Sequence, residues 1–159
     1  MWIFLTLLGL KTSALLKKRV ETLEETVSFL VNLKLELVYR ADNLLSLFKG
    51  LSELSACRDL DYVKKCADGI LSGDVFSEVW KNAVYTSVLP FKNEERAKLA
   101  SLGDFLGVSD KESQRELLLL YEEYFKAFLK KAADENGKYS KICVMLGFIS
   151  GFGIFIMVI

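Results

Sequence analysis

The sequence contains no histidine, a single proline and no excess of charge of either sign. Without histidine, Ser-His-Asp and Cys-His catalytic arrangements are excluded, together with the commonest metal ligand. Lysine plus arginine count 21, and aspartate plus glutamate also count 21, so no net positive charge is available to hold nucleic acid. These absences argue against the common classes of hydrolase, metalloenzyme and nucleic-acid-binding protein.

Cysteine is also scarce, and its spacing fits no familiar zinc or redox motif. Cys57 and Cys66 lie nine positions apart, and Cys143 lies in an apolar stretch near the C-terminus. We interpret the first two as small apolar core residues in a reducing compartment. The only Gly-Lys pair, Gly137-Lys138, lacks the upstream glycine of a phosphate-binding loop.

Three pairs of adjacent glutamates are the remaining candidates for acid–base catalysis or cation binding. Neighbouring positions on a helix point about 100° apart, so such pairs rarely converge on one site. We interpret them as solvated helix faces. The pairs are Glu24-Glu25, Glu94-Glu95 and Glu122-Glu123. The sequence therefore predicts a protein that is not an enzyme and needs no cofactor or metal.

The C-terminal stretch 142–159 carries no charged residue. As a helix rising about 1.5 Å per residue it reaches roughly 27 Å, close to the hydrocarbon thickness of a bilayer. We therefore expect a transmembrane helix over 138–159. Its Gly147, Gly151 and Gly153 form a small-residue pattern that would let another helix approach closely, although glycine is also simply frequent in membrane helices.

The N-terminal segment, 1–16, is largely apolar and carries one charge, Lys11. A helix of this length reaches about 24 Å, so we expect a marginal span or a membrane-inserted helix end. The basic triplet 17–19 follows the apolar stretch, whereas a cleaved signal peptide would have its positive charges first. Since Lys138 also flanks the second apolar stretch on the side of the central body, the body is expected to be cytoplasmic.

The central body, 17–137, has no long alternation of apolar and polar residues, and its apolar residues recur at steps of three and four. This pattern predicts an all-α bundle of about six helices. The first helix should continue from the N-terminal segment to Ala41. The next helices are predicted to begin at Asp42-Asn43 and at Asp74, with a third helix between them at 58–67. A fifth helix should run from Asn93 through Leu106 and stop at Gly107, and a capping box from Ser109 to Glu112 should open the last one. A break or hinge is predicted at Asn136-Gly137.

The most distinctive internal pattern is Leu-Gly-x-x-Leu-Gly-x-x-Asp-x-x-x-Gln. It is formed by Leu102, Gly103, Leu106, Gly107, Asp110 and Gln114. Physically it predicts a helix end, a turn and a capped helix start, with both glycines admitting a close neighbour. A partner-binding role for its exposed polar side chains is the alternative.

The chain resembles the stage III sporulation protein AB family. The resemblance rests on this pattern, on the run 35–39, and on Leu146-Gly147-Phe148 near the start of the C-terminal apolar segment. The resemblance implies a mother-cell membrane protein of the channel complex that links mother cell to forespore during endospore formation. It also implies that the body is similar to cytoplasmic domains of type II secretion and type IV pilus inner-membrane platform proteins. Such platforms couple a cytoplasmic secretion ATPase, here one like stage III sporulation protein AA, to membrane subunits.

The expected function is accordingly a non-enzymatic scaffold in the cell membrane. Its expected partners are the lipid bilayer, a secretion-type ATPase, other channel subunits and a second copy of the chain, with no nucleic acid. Two alternatives remain open from the sequence. One is a pilus or type II secretion platform outside sporulation, and the other is a membrane-tethered regulator that sequesters a cytosolic signalling protein.

Overall fold

The computed structural model describes residues 2–40, 44–54, 57–73, 75–106 and 111–158. Side chains are described within these ranges except for 2–11, 38–40, 111, 140–141 and 143–158. All regular structure in this part of the chain is helical, which confirms the predicted all-α class. The elements are α1 (Trp2–Arg40), α2 (Leu44–Glu53), α3 (Asp61–Leu71), α4 (Phe76–Tyr85), α5 (Asn93–Ser101), a 3₁₀ turn (Leu102–Asp104) and α6 (Lys111–Val158).

The two longest helices, α1 and α6, pack against each other in antiparallel directions. Arg19 of α1 bonds Glu135 of α6, and Lys34, farther along α1, bonds Glu122, which comes earlier in α6. The first helix runs from the N-terminal segment into the body without interruption, as predicted. The four short helices lie along this pair, each contacting the next in chain order.

The predicted break at Asn136-Gly137 is wrong, because α6 is helical through both residues. A Cβ added at Gly137 would meet no atom within 4 Å, so no packing constraint at this glycine requires the helix to end. The predicted fifth helix is too long, because α5 ends at Ser101 and a 3₁₀ turn follows. The third helix lies at Asp61–Leu71 rather than 58–67. The predicted boundaries at Asp42-Asn43, Asp74, Gly107 and Ser109 lie outside the described residues.

The core is built around Trp80 of α4, whose side chain is completely buried. Its indole ring packs against four aromatic rings from other parts of the bundle or from its own helix, with centroids 5.6–6.3 Å away. Its Nε1–H donates to the Leu99 carbonyl at 2.8 Å, so the ring is held at both its apolar faces and its polar edge. The surrounding rings are Phe29, Phe48, Tyr62 and Phe76.

The search for membrane-spanning helices covers only the described residues, and within them it finds no helix long and apolar enough to cross a bilayer. The side chains of 143–158 lie outside that part, so the predicted transmembrane helix stays a prediction.

Candidate functional site

Four charged residues from three parts of the chain meet where α1, α5 and α6 pack together, and we call this group the buried junction. It consists of Arg19 on α1, Lys92 immediately before α5, Glu95 in the first turn of α5, and Glu135 on α6. Arg19 is only 5% exposed and Glu95 only 1%. Arg19 and Glu95 thus form the buried ion pair of the group, whereas the side chains of Lys92 and Glu135 are 51% and 31% exposed.

Arg19 is the residue that connects the three helices at the buried junction. Its Nε–H lies 3.2 and 3.3 Å from the two carboxylate oxygens of Glu95, and an Nη–H donates to the same carboxylate. Its other terminal nitrogen donates to Glu135 Oε2 at 2.7 Å. Arginine suits this position because its planar fork can donate to two carboxylates at once.

Lys92 completes the junction from the start of α5. Its Nζ lies 2.8 and 2.9 Å from the carboxylate oxygens of Glu135. Its backbone N–H donates to Glu95 Oε2 at 2.7 Å, so Glu95 also stabilises the helix start, where negative charge is favourable. Hydrogen bonds from Lys92 and then Arg19 lower the pKa of Glu135 below its ordinary value.

A second ion pair joins α1 and α6 closer to the other end of the bundle. Lys34 Nζ lies 2.6 Å from Glu122 Oε2, and Lys126 Nζ lies 2.5 Å from Glu122 Oε1. Burial alone would raise the pKa of Glu122, but the hydrogen bonds from Lys126 and Lys34 lower it below its ordinary value. The antiparallel pair is thus fixed at two levels, some 13 residues apart on α6.

The sequence-based interpretation of the glutamate pairs is half wrong. Glu94 and Glu123 are exposed as predicted, but Glu95 and Glu122 are buried and ion-paired. The prediction missed both groups because their partners are distant in sequence: Arg19 is 76 positions from Glu95, and Lys34 is 88 from Glu122. Periodicity within one helix carries no signal of such a pairing.

One carboxylate oxygen of Glu25 has no hydrogen-bond partner among the described residues. That oxygen, Oε2, is buried. Burial, followed by the nearby charge of Asp59, raises the pKa of Glu25. No group of three or more metal-ligating side chains occurs in the described part of the chain, so this carboxylate belongs to no metal-binding cluster there.

The structure buries four residues of the sequence-predicted motif and packs one of them, Gly103, against Trp80. Leu102, Gly103, Leu106 and Gln114 are all buried. A Cβ added at Gly103 would lie 2.5 Å from Cδ1 of Trp80, which confirms the predicted close packing at this glycine. Gly107 and Asp110 lie outside the described residues, and so do the side-chain surroundings of Gly147, Gly151 and Gly153.

Both described cysteines are buried and free, as the sequence predicts. Burial raises the pKa of Cys57 to about 11 and that of Cys66 to about 12. At neutral pH both are therefore protonated thiols, which are poor nucleophiles and metal ligands. Their role is packing in the core.

The fold and the buried junction define a class of protein: a helical bundle whose two longest helices are antiparallel, ion-paired and extended beyond the bundle at one end. Neither a curated protein nor a solved structure matches the chain significantly. The family model described as stage III sporulation protein AB matches residues 2–159. The chain belongs to the stage III sporulation protein AB family, and it has a role in sporulation.

Proposed function

We propose that this protein is a non-enzymatic membrane scaffold of the channel complex between mother cell and forespore. In this proposal its two apolar ends lie in the mother-cell membrane and its helical body lies in the cytoplasm. The body docks a secretion-type ATPase like stage III sporulation protein AA, and the anchors contact other channel subunits. Membership of a sporulation family supports this setting and disfavours a pilus or secretion platform outside sporulation.

The antiparallel arrangement of α1 and α6 supports a shared membrane surface for both ends. Arg19 and Glu135 are paired across the two helices, and the chain leaves the bundle beyond both residues at the same end. The segments beyond them are the largely apolar 1–16 and the uncharged 142–159. A single bilayer could therefore receive both segments without any reversal of the chain.

The strongest support for the proposal is that Arg19 bridges three helices at the end of the body from which the two apolar segments extend. A force applied to the bundle by an ATPase must pass through α1 and α6 to reach the membrane. Because Arg19 holds both the start of α5 and the α6 side chain Glu135, movement of α5 would be coupled directly to α1 and α6. Such a junction suits a scaffold that keeps its partners in register.

Within the membrane, we assign the contact with other channel subunits, or with a second copy of the chain, to Gly147, Gly151 and Gly153. Gly147 and Gly151 are one turn apart, so they remove side-chain bulk from one face of a helix and let a second backbone approach, whereas Gly153 falls on a different face. The ATPase would dock on a part of the body other than Gln114, the polar motif residue that the structure describes, because that side chain is buried.

The test is co-purification of the full chain from detergent-solubilised membranes of sporulating cells. The wild type should recover both the ATPase and membrane channel subunits. Gly151→Leu should lose channel subunits and keep the ATPase, whereas Ile149→Leu, a volume-conserving change in the same helix, should keep both. Recovery of neither kind of partner would refute the proposal, and a single stoichiometric cytosolic partner would favour the tethered-regulator alternative.

A further inference from the structure

A small apolar surface lies on the side of α6 that faces away from the core. Leu119, Leu120 and Tyr124 are 41%, 46% and 41% exposed, although all three are large hydrophobic side chains. On the other side of the same stretch, Leu118 and Phe125 are completely buried. The helix is therefore apolar on both sides here, and the packing of the bundle accounts for only one of them.

Two glutamates flank the exposed leucines. Residues three and four positions apart are neighbours on a helix surface, so Glu116 precedes Leu119 and Leu120 along the helix, and Glu123 follows them. Both glutamates are exposed, and neither has an ion pair or hydrogen bond with any residue in the described part of the chain. We call this surface the outer face of α6. It consists of Glu116, Leu119, Leu120, Glu123 and Tyr124.

The cations nearest to these glutamates along α6 already have carboxylate partners. Arg115 lies 3.0 Å from Glu112, and Lys126 lies 2.5 Å from Glu122. On the α5 side, Lys98 Nζ lies 3.9 Å from the ring centroid of Tyr124, where it covers one edge of the outer face. A binding partner that carries lysine or arginine would therefore find two carboxylates that no side chain of this protein has engaged.

The outer face is far from the proposed membrane. From Leu120 to Ile142, where the uncharged segment begins, α6 rises about 33 Å. Electrostatic attraction between exposed charges fades over roughly 10 Å at 0.1 M salt, so lipid headgroups do not reach this surface. Two free carboxylates also repel nucleic acid. The occupant that fits an apolar surface between two carboxylates at this height is a cytoplasmic protein.

A second copy of the chain is a poor occupant. Two copies anchored in one bilayer stand parallel, and a twofold contact between their outer faces would bring each residue close to its own counterpart. Glu116 and Glu123 of one copy would then face the same glutamates of the other. Like charges that face each other across an interface are unfavourable, so the outer face requires a basic partner.

We propose that the outer face of α6 is the docking surface for the secretion-type ATPase, which would present an apolar side chain flanked by lysine or arginine. This inference rests on the proposed function. Leu119 and Leu120 would form the apolar centre of the interface, and the two glutamates would orient the partner. Since α6 is helical from the outer face through Val158, movement of the docked ATPase would pass along a single helix to the C-terminal apolar segment.

The experiment is co-purification of the tagged full chain from detergent-solubilised membranes of sporulating cells, with the ATPase and the channel subunits quantified separately. The double variant Leu119→Ala, Leu120→Ala removes the apolar centre and introduces a residue that favours helix. The matched control is Leu71→Ala, Val75→Ala, because these side chains are 67% and 66% exposed on α3 and just before α4.

A second pair of variants tests the charges. Glu116→Lys, Glu123→Lys reverses both carboxylates of the outer face. Its control, Glu24→Lys, Glu53→Lys, reverses two exposed glutamates on α1 and α2. All four double variants change exposed side chains, and thermal unfolding by circular dichroism should show the melting temperature of the wild type.

Both outer-face variants should recover at least about tenfold less ATPase than the wild type, as expected when the centre of an interface is truncated or its charge reversed. They should recover the channel subunits unchanged, and both controls should match the wild type. ATPase recovery at the wild-type level by both outer-face variants would refute this docking surface and leave the proposed function standing. Absence of the ATPase from the wild-type sample would refute the proposed function and the docking surface together. Loss of a differently tagged second copy, with the ATPase retained, would also refute the docking surface, because the outer face would then mediate self-association.

Discussion

Replacing Arg19 by methionine tests the buried junction most sharply. Methionine keeps much of the volume of the side chain but leaves the carboxylate of Glu95, only 1% exposed, without its charged partner. Removing one member of a buried ion pair typically costs about 3–5 kcal/mol. Since Glu95 keeps one hydrogen bond from the Lys92 backbone, we expect a loss near the lower end, about 3 kcal/mol.

The assay is urea unfolding of the full chain in mild detergent, followed by circular dichroism. Urea is uncharged, so it does not screen the ion pairs that are being measured. Lys18→Met is the matched control, because Lys18 is adjacent, exposed, and paired only at 3.9–4.0 Å with Glu21 and Asp59. Such exposed pairs contribute little, so its cost should stay below about 0.5 kcal/mol.

A double-mutant cycle separates the charge pair from general loss of packing. The double variant Arg19→Met, Glu95→Met removes both charges, and replacement of a buried pair by apolar residues is often nearly neutral. Its remaining cost should be about 1 kcal/mol, from loss of the hydrogen bond at the start of α5. A double variant as unstable as the sum of the two single variants would refute the reasoning, and so would an Arg19→Met cost no larger than that of Lys18→Met.

The same network predicts how stability depends on pH. The pKa of Glu135 is lowered in the folded state by Lys92 and Arg19, so its contribution is present above the ordinary glutamate pKa of 4.5. That contribution is lost as the pH falls through the lower folded value. The stability difference between wild type and Arg19→Met should therefore shrink on acidification below pH 4.5. A difference that stays constant or grows would contradict the assignment.

Two further substitutions probe the core. Gly103→Ala forces a Cβ to 2.5 Å from the fixed ring of Trp80 and should cost about 1–3 kcal/mol, whereas Gly50→Ala, with open space around it, should stabilise α2 by about 0.5–1 kcal/mol. Equal effects in thermal unfolding would show that the ring can move aside. Glu25→Gln removes a half-buried carboxylate whose pKa burial raises and whose Oε2 has no partner among the described residues, so it should stabilise the fold slightly at pH 7, with exposed Glu24→Gln unchanged. Destabilisation by Glu25→Gln would show that this carboxylate has a partner.

Much of the fold follows from local patterns in the sequence. The three- and four-residue steps of apolar residues predict the helical class and the unbroken first helix, which the structure confirms. The burial of Cys57 and Cys66 follows from their lack of any ligand spacing. These features depend on neighbours within one helix, or on residue type alone, and a single sequence records both.

The parts that the sequence analysis missed depend on contacts between distant segments. Adjacent glutamates do point in different directions, but in two of the three pairs one member faces a cation from another helix, as Glu95 faces Arg19 and Glu122 faces Lys34. Likewise α5 stops at Ser101 because the chain tightens there and brings Gly103 against Trp80. The apolar periodicity of a single helix predicts neither contact, since the packing of the whole bundle determines which residues meet.

Extraction of the full chain from cell membranes at high pH tests the central claim most directly. Alkaline washing releases proteins held at a membrane by charge or by other proteins, whereas a helix inserted in the hydrocarbon stays with the lipid. We predict that the chain remains in the lipid pellet, because 142–159 carries no charged residue and 142–158 continues α6 beyond the body. Its appearance in the supernatant would contradict the account of a membrane-anchored scaffold.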